Sequence, residues 1–109
     1  AYTEQPEALR RGFDRSLLTL AAYEGAELLG LIRVVGDGQT IVFVQDLLVF
    51  PEYQRKGIGS ALLRAVLKRY ENVRQIMLAT DDTPKTKAFY RSMGFRELSE
   101  IGCCGFMLV

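Results

Sequence analysis

The chain has 109 residues, 49% of them hydrophobic, and its 14 Lys and Arg against 13 Asp and Glu leave a net charge of +1. That length suits one domain with a modest core, and the apolar fraction excludes a disordered chain. The balanced charge argues against a general nucleic-acid binder, and the absence of histidine excludes serine–histidine and cysteine–histidine catalysis and most zinc sites.

Residues 6–13 read as a short helix with Pro6 in its first turn. Strands are expected at 17–23 and 28–35, joined by a turn at 24–27. Asp37-Gly38 is a hairpin signal leading to a third strand, 41–50. That run is almost continuous in Val, Ile, Leu and Phe, as a central strand covered on both faces would be, and Pro51 ends it. A helix follows over 59–70, with Leu62, Ala65, Val66 and Arg69 on one stripe and Leu63, Leu67 and Tyr70 beside it. The next strand is 75–80, a parallel neighbour of 41–50 through a right-handed crossover. Thr83 and Pro84 read as N-cap and first residue of another helix, which Gly94 closes. Residues 95–101 and 104–109 read as two closing strands in a hairpin around Gly102. The fold class is therefore mixed α/β: a largely antiparallel sheet with one parallel pair and helices on both faces.

Gln54-Arg55-Lys56-Gly57-Ile58-Gly59 stands between the central strand and its helix. A strand that runs through a basic, glycine-punctuated loop into a helix aims backbone N–H groups at one spot, with the positive helix end behind them. Glycine leaves that spot accessible and adopts positive φ without strain. The ligand this predicts is a phosphate or pyrophosphate. Two other phosphate motifs fail on spacing. There is no G-x-x-x-x-G-K-[ST], and Leu62 stands where a dinucleotide fingerprint needs glycine or alanine.

Cys103 and Cys104 are the only cysteines, and sequence neighbours rarely pair, so no disulfide framework is expected. They read as strand filling. No membrane span or signal peptide is visible, so a cytoplasmic location is expected. The start at Ala1, without methionine, suggests processing or a fragment.

Two motifs, in order, carry a resemblance. Gln54, Gly57 and Gly59 match the Gln/Arg-x-x-Gly-x-Gly/Ala loop of the GNAT superfamily of N-acetyltransferases, and Phe89-Tyr90-Arg91-Ser92-Met93-Gly94-Phe95 matches its Phe-Tyr-x-x-x-Gly-Phe segment. Asp46 to Tyr53 also resembles the family's approach to the loop. The resemblance covers about the last three quarters of the chain and implies an acyl-CoA N-acyltransferase fold lacking the usual opening strand and helix. The family's frequent asparagine after the second parallel strand is replaced, by Thr83.

What the resemblance implies about chemistry is specific. Acetyl-CoA is the cosubstrate, with no metal. The backbone of Arg55, Lys56, Gly57, Ile58, Gly59 and Ser60, with Gln54, binds its pyrophosphate. A backbone N–H at Leu48 or Val49 contacts the thioester carbonyl, and the pantetheine arm lies along the strand. Tyr90, a phenol protonated at neutral pH, serves as general acid to the departing thiolate; the other reading packs it against Phe89 and Phe95. Asp46 is a candidate base and, equally, a structural strand residue, while Asp81 and Asp82 read as turn or cap residues. Lys85 and Lys87 read as solvated helix lysines, with contact to the CoA phosphates as the other reading. The acceptor is a small-molecule amine, less readily a protein amine, with neither nucleic acid nor membrane as partner. A homodimer is admitted by the edge of the C-terminal hairpin. The alternative is a catalytically silent CoA-binding module acting as sensor or subunit.

Overall fold

The computed structural model describes residues 6–109. The chain divides into two compact units, Ala1–Ala79 and Thr80–Val109. In the first, helix α1 (Pro6–Asp14) precedes strands β1 (Leu18–Glu24), β2 (Glu27–Gly36) and β3 (Ile41–Val49), then helix α2 (Ile58–Arg69) and strand β4 (Gln75–Leu78). The sheet order is β1-β2-β3-β4, antiparallel except for the β3–β4 pair. The parallel neighbours predicted across the crossover are present, with β4 two residues shorter than expected.

Alternation along the strands divides the two faces. Ile32 and Val34 on β2 and Val42 and Val44 on β3 are buried together with Leu62, Leu63, Val66 and Tyr70 of the α2 segment. Helix α2 packs across β1, β2 and β3. Its buried stripe runs through Leu63, Val66 and Tyr70, while Ala65 and Arg69, expected on that stripe, are exposed. The helix is turned so that its larger apolar side chains meet the sheet, because burial scales with apolar area. Arg33 points to the opposite face, where its guanidinium lies 4.8 Å from the Phe13 ring of α1. Helices therefore cover both faces. No helix among the described residues is long and apolar enough to cross a membrane.

The β2–β3 connection is organised by Asp37. Its carboxylate accepts the backbone N–H groups of Gln39, Thr40 and Ile41 at 2.8, 2.8 and 3.0 Å, and the Thr40 hydroxyl at 2.7 Å. Gly38 supplies the left-handed backbone the turn needs, at φ 71°. The bonds to Ile41, Thr40 and Gln39 hold the Asp37 carboxyl well below the usual carboxylate range. A folded-state pKa below the unfolded value near ~3.9 gives stability that is full above that value and is lost as pH falls toward the folded value. Asp37→Ala should therefore lower the melting temperature at neutral pH and narrow the gap to wild type in strong acid. Melting curves from pH 7 to pH 2 check this; an unchanged gap would contradict it.

In the second unit, helix α3 (Pro84–Ser92) begins at Thr83, whose hydroxyl accepts the Thr86 N–H at 3.3 Å. Gly94, at φ 95°, follows the helix in the left-handed conformation expected of a closing glycine. Thr83→Ala should cost about 1 kcal/mol, read by denaturant unfolding, and Thr83→Ser should retain most of it.

The two closing strands are absent from the described residues. Leu98–Ile101 is instead a 3-10 turn with a capping box between Glu97 and Glu100, and Gly102 ends it at φ 79°. Arg91 fastens the turn, with Nη2 at 2.6 Å from Glu97 and 3.2 Å from Glu100. Local capping and charge pairing thus override strand propensity in that segment. Residues 103–109 form no strand either, and Phe106, Leu108 and Val109 are almost fully exposed. The hairpin edge invoked for dimerisation does not exist in this structure.

Candidate active site

The loop between β3 and α2 departs from ordinary backbone at two positions. Gly57, the N-cap of α2, sits at φ 80°, ψ 8°. Arg55 sits at φ 66° and is the only non-glycine residue with positive φ among the described residues. A side chain in that region is strained, and such strain concentrates at ligand sites. The first intrahelical bond runs from the Ala61 N–H to the Gly57 carbonyl, at 3.0 Å. The N–H groups of Ile58, Gly59 and Ser60 precede it and have no helical acceptor. No side chain caps this end and no acidic residue lies in its first turn. Arg55, Lys56 and Gly57 are exposed. Together these features make an electropositive helix start open to an anion.

Side chains moor the loop to the sheet. Gln54 donates its Nε2 N–H to the Val49 carbonyl at 3.1 Å. The Tyr53 hydroxyl donates to the Glu27 carboxylate at the start of β2. That bond, with burial and the nearby carboxylates of Glu27, Glu52 and Glu24, pushes the Tyr53 phenol up to about 12. Lys56 places its Nζ 5.7 Å from the Tyr53 ring centre. Gln54, expected to touch the ligand, is thus seen fixing the loop that would. The Tyr53–Glu27 tether was not legible, because it joins residues far apart in the chain.

The second part of the site is the end of β3. Its register with β2 steps from Arg33–Asp46 to Val34–Val44, so Gln45 is the extra residue of a bulge. Pairing with β4 ends at Val44–Leu78, while β3 runs on to Val49. Beyond the bulge, β3 therefore has a flank that β4 does not reach. Backbone direction along this flank follows from two contacts. The Phe50 N–H donates to Leu29 of β2 at 3.1 Å, so Phe50 faces β2. Alternation then turns Leu48 toward β2, and Leu47 and Val49 toward the open flank. The Gln54 bond to the Val49 carbonyl agrees, as does Gly30 of β2, where an added Cβ would lie 2.6 Å from the Leu48 carbonyl oxygen. Of the two strand residues expected to offer an N–H, the geometry turns Val49 outward and Leu48 inward, and it adds Leu47. A bulge invisible in sequence fixes that parity.

Asp46 is 15% exposed and accepts the Arg33 Nε N–H at 2.7 Å; Arg33 is itself 7% exposed. The carboxylate is engaged in this ion pair through one of its two oxygens, Oδ2. Arg33 was missed, yet a signal existed: one charge interrupts each of two apolar strands at positions that face each other.

In the second unit, Tyr90 lies on α3 between two rings, edge-on to Phe89 at 5.0 Å and to Phe95 at 5.8 Å. It is partly buried, and this burial pushes its phenol above the ordinary value. Packing and a protonated hydroxyl coexist here. Lys87, expected to be solvated, bridges Asp82 at 2.6 Å and Glu97 at 3.3 Å. Cys103 and Cys104 are exposed and free rather than buried filling.

Comparison with known proteins bears on this geometry. The family model for the acetyltransferase (GNAT) domain matches residues 2–104. A GNAT-family acetyltransferase of Streptococcus pneumoniae TIGR4 is similar in structure at TM-score 0.91 and 47% identity, over 94% of this chain and 78% of that one. The mycothiol acetyltransferase of Kineococcus radiotolerans is 35% identical over 85% of this chain and 31% of its own length. The structure of AAC(6')-Iy, in complex with the bisubstrate analogue CoA-S-monomethyl-acetylneamine, shares the fold at TM-score 0.72 and 17% identity, over 96% of this chain and 78% of that one. The chain spans between 27% and 57% of the length of five curated relatives it matches.

Proposed function

We propose a function from one premise: this chain belongs to the GNAT acetyltransferase family. It transfers the acetyl group of acetyl-CoA to the amine of a small-molecule acceptor. The observation that carries the reading is the exposed, acid-free helix start at Gly57, placed next to a strand end with an open flank. A diphosphate fits the first and an extended amide-bearing arm fits the second.

When bound, acetyl-CoA supplies the activated acyl group as a thioester. The N–H groups of Ile58, Gly59 and Ser60 receive the pyrophosphate, with Arg55 and Lys56 balancing its charge. Leu47 and Val49 offer N–H groups along the open flank, where one polarises the thioester carbonyl. Tyr90 gives its proton to the departing sulfur, and its raised pKa keeps that proton in place until thiolate charge develops. The acceptor's proton leaves through water or to Asp46, whose ion pair with Arg33 engages one of its two oxygens. The acceptor reading draws support from one named relative, the mycothiol acetyltransferase of Kineococcus radiotolerans. The reaction is placed in the cytoplasm, where acetyl-CoA is available.

The test is release of free thiol from acetyl-CoA against a panel of amines, including polyamines, amino acids, aminoglycosides and a lysine peptide. Acceptor-dependent thiol release with a small amine is expected. Release only with the peptide would move the acceptor class to proteins, and release with none would retire the transferase reading.

A further inference from the structure

Among the described residues Arg33 is the one buried charged side chain, and nothing in the chemistry above uses it directly. One side chain reaches two separate elements. Its Nε N–H donates to Asp46 at 2.7 Å. Its Nη1 donates to the Ser16 hydroxyl at 3.1 Å and to the Gly12 carbonyl at 3.4 Å. Its guanidinium also lies over the Phe13 ring. Gly12 and Phe13 are in the last turn of α1, and Ser16 follows it.

The position of Asp46 gives this network its significance. It is the first residue past the Gln45 bulge, at the start of the segment whose flank β4 leaves open. A strand that has lost its ladder on one side is held by the other side and by its side chains. From Asp46 onward, β3 keeps only its pairing with β2. We infer that Arg33 is a positioning residue: its guanidinium clamps the open half of β3 to α1 and so holds the N–H groups of Leu47 and Val49 in a fixed direction. A stability role alone does not explain the arrangement well. Replacing a buried ion pair by apolar residues of similar volume is commonly neutral or stabilising, whereas arginine's planar fork fixes geometry at several acceptors at once.

The consequence for turnover rests on the transferase reading; the clamp itself does not. The decisive variant is the double substitution Arg33→Met with Asp46→Leu, which removes both charges and leaves neither buried alone. Arg33→Lys is the companion, keeping a cation for Asp46 but losing the fork that reaches Gly12 and Ser16. Backbone hydrogen exchange on the ligand-free chain is the first readout. Amides of Leu48 and Phe50, which face β2, should exchange at least about tenfold faster in the double variant, with those of 41–44 unchanged and melting close to wild type. Turnover is the second. The value of kcat should fall about ten- to a hundredfold while CoA affinity, set by the untouched loop, stays within about threefold. Arg33→Lys should fall between the double variant and wild type on both readouts.

Unchanged exchange at Leu48 and Phe50 in either folded variant overturns the clamp. So does a uniform rise in exchange that tracks a lowered melting temperature, since that is what a merely structural pair would give. Wild type that binds CoA but does not turn over would retire the transferase reading instead, and exchange would still decide the clamp. If the double variant does not fold, Arg33→Lys carries the same two readouts.

Discussion

Gly59→Glu should abolish CoA binding while leaving the fold at least as stable as wild type. Gly59 is the second residue of α2 and has no positive φ, so the helix does not need glycine there. A helical glycine costs roughly 0.5–1 kcal/mol relative to alanine. Glutamate in a first turn gains about 0.3–1 kcal/mol from the helix dipole. Both terms favour the substitution for folding. For binding the signs reverse, because a carboxylate in the first turn of α2 would compete with the pyrophosphate for the positive field of the helix start. A loss of more than about a hundredfold in affinity is expected, since the added charge opposes the ligand. Calorimetry with CoA, alongside thermal melting, checks it. Weak binding together with a lower melting temperature would point to a damaged helix.

Tyr90→Phe separates chemistry from binding. The ring keeps its edge-on contacts with Phe89 and Phe95, so α3 keeps its packing. Only the hydroxyl, and with it the proton it would donate, is lost. The expected result is a fall in kcat of about a hundredfold, within the range for loss of a general acid, with CoA affinity within about twofold. The pH profile adds a sign. Burial raises the Tyr90 pKa, so the acid stays loaded as pH rises, and its loss shapes the alkaline limb only above the ordinary phenol value of about 10. A wild-type rate that falls through pH 8 to 9 from loss of this group would contradict the assignment. A silent CoA-binding module would show binding in both forms and turnover in neither.

Much of the fold could be read locally. Asp37-Gly38, Pro51, Thr83-Pro84 and Gly94 each sit where the chain turns or a helix starts or stops, and each acts through its own backbone or its near neighbours. Elements that depend on such punctuation were therefore legible. What failed depended on partners distant in sequence. The apolar run near the C-terminus has strand propensity, but among the described residues no strand pairs with it, and the Glu97–Glu100 box with Arg91 winds its approach into a turn. The site divides in the same way. The helix-start loop was visible because glycine spacing encodes its backbone directly. The direction of the Leu47 and Val49 N–H groups was not, because one inserted residue, Gln45, reverses the parity and appears only in the register with β2. Sequence left Asp46 open between base and structural residue because its partner Arg33 lies on another strand.

The central claim is that the loop from Gln54 to Ser60 holds the diphosphate of CoA. Calorimetric titration of the wild-type chain with acetyl-CoA, CoA and ATP tests it most directly. Binding of both CoA species at one site per chain, with ATP not bound, is the result this account predicts. A folded chain that binds neither CoA species, or binds ATP equally well, would contradict it.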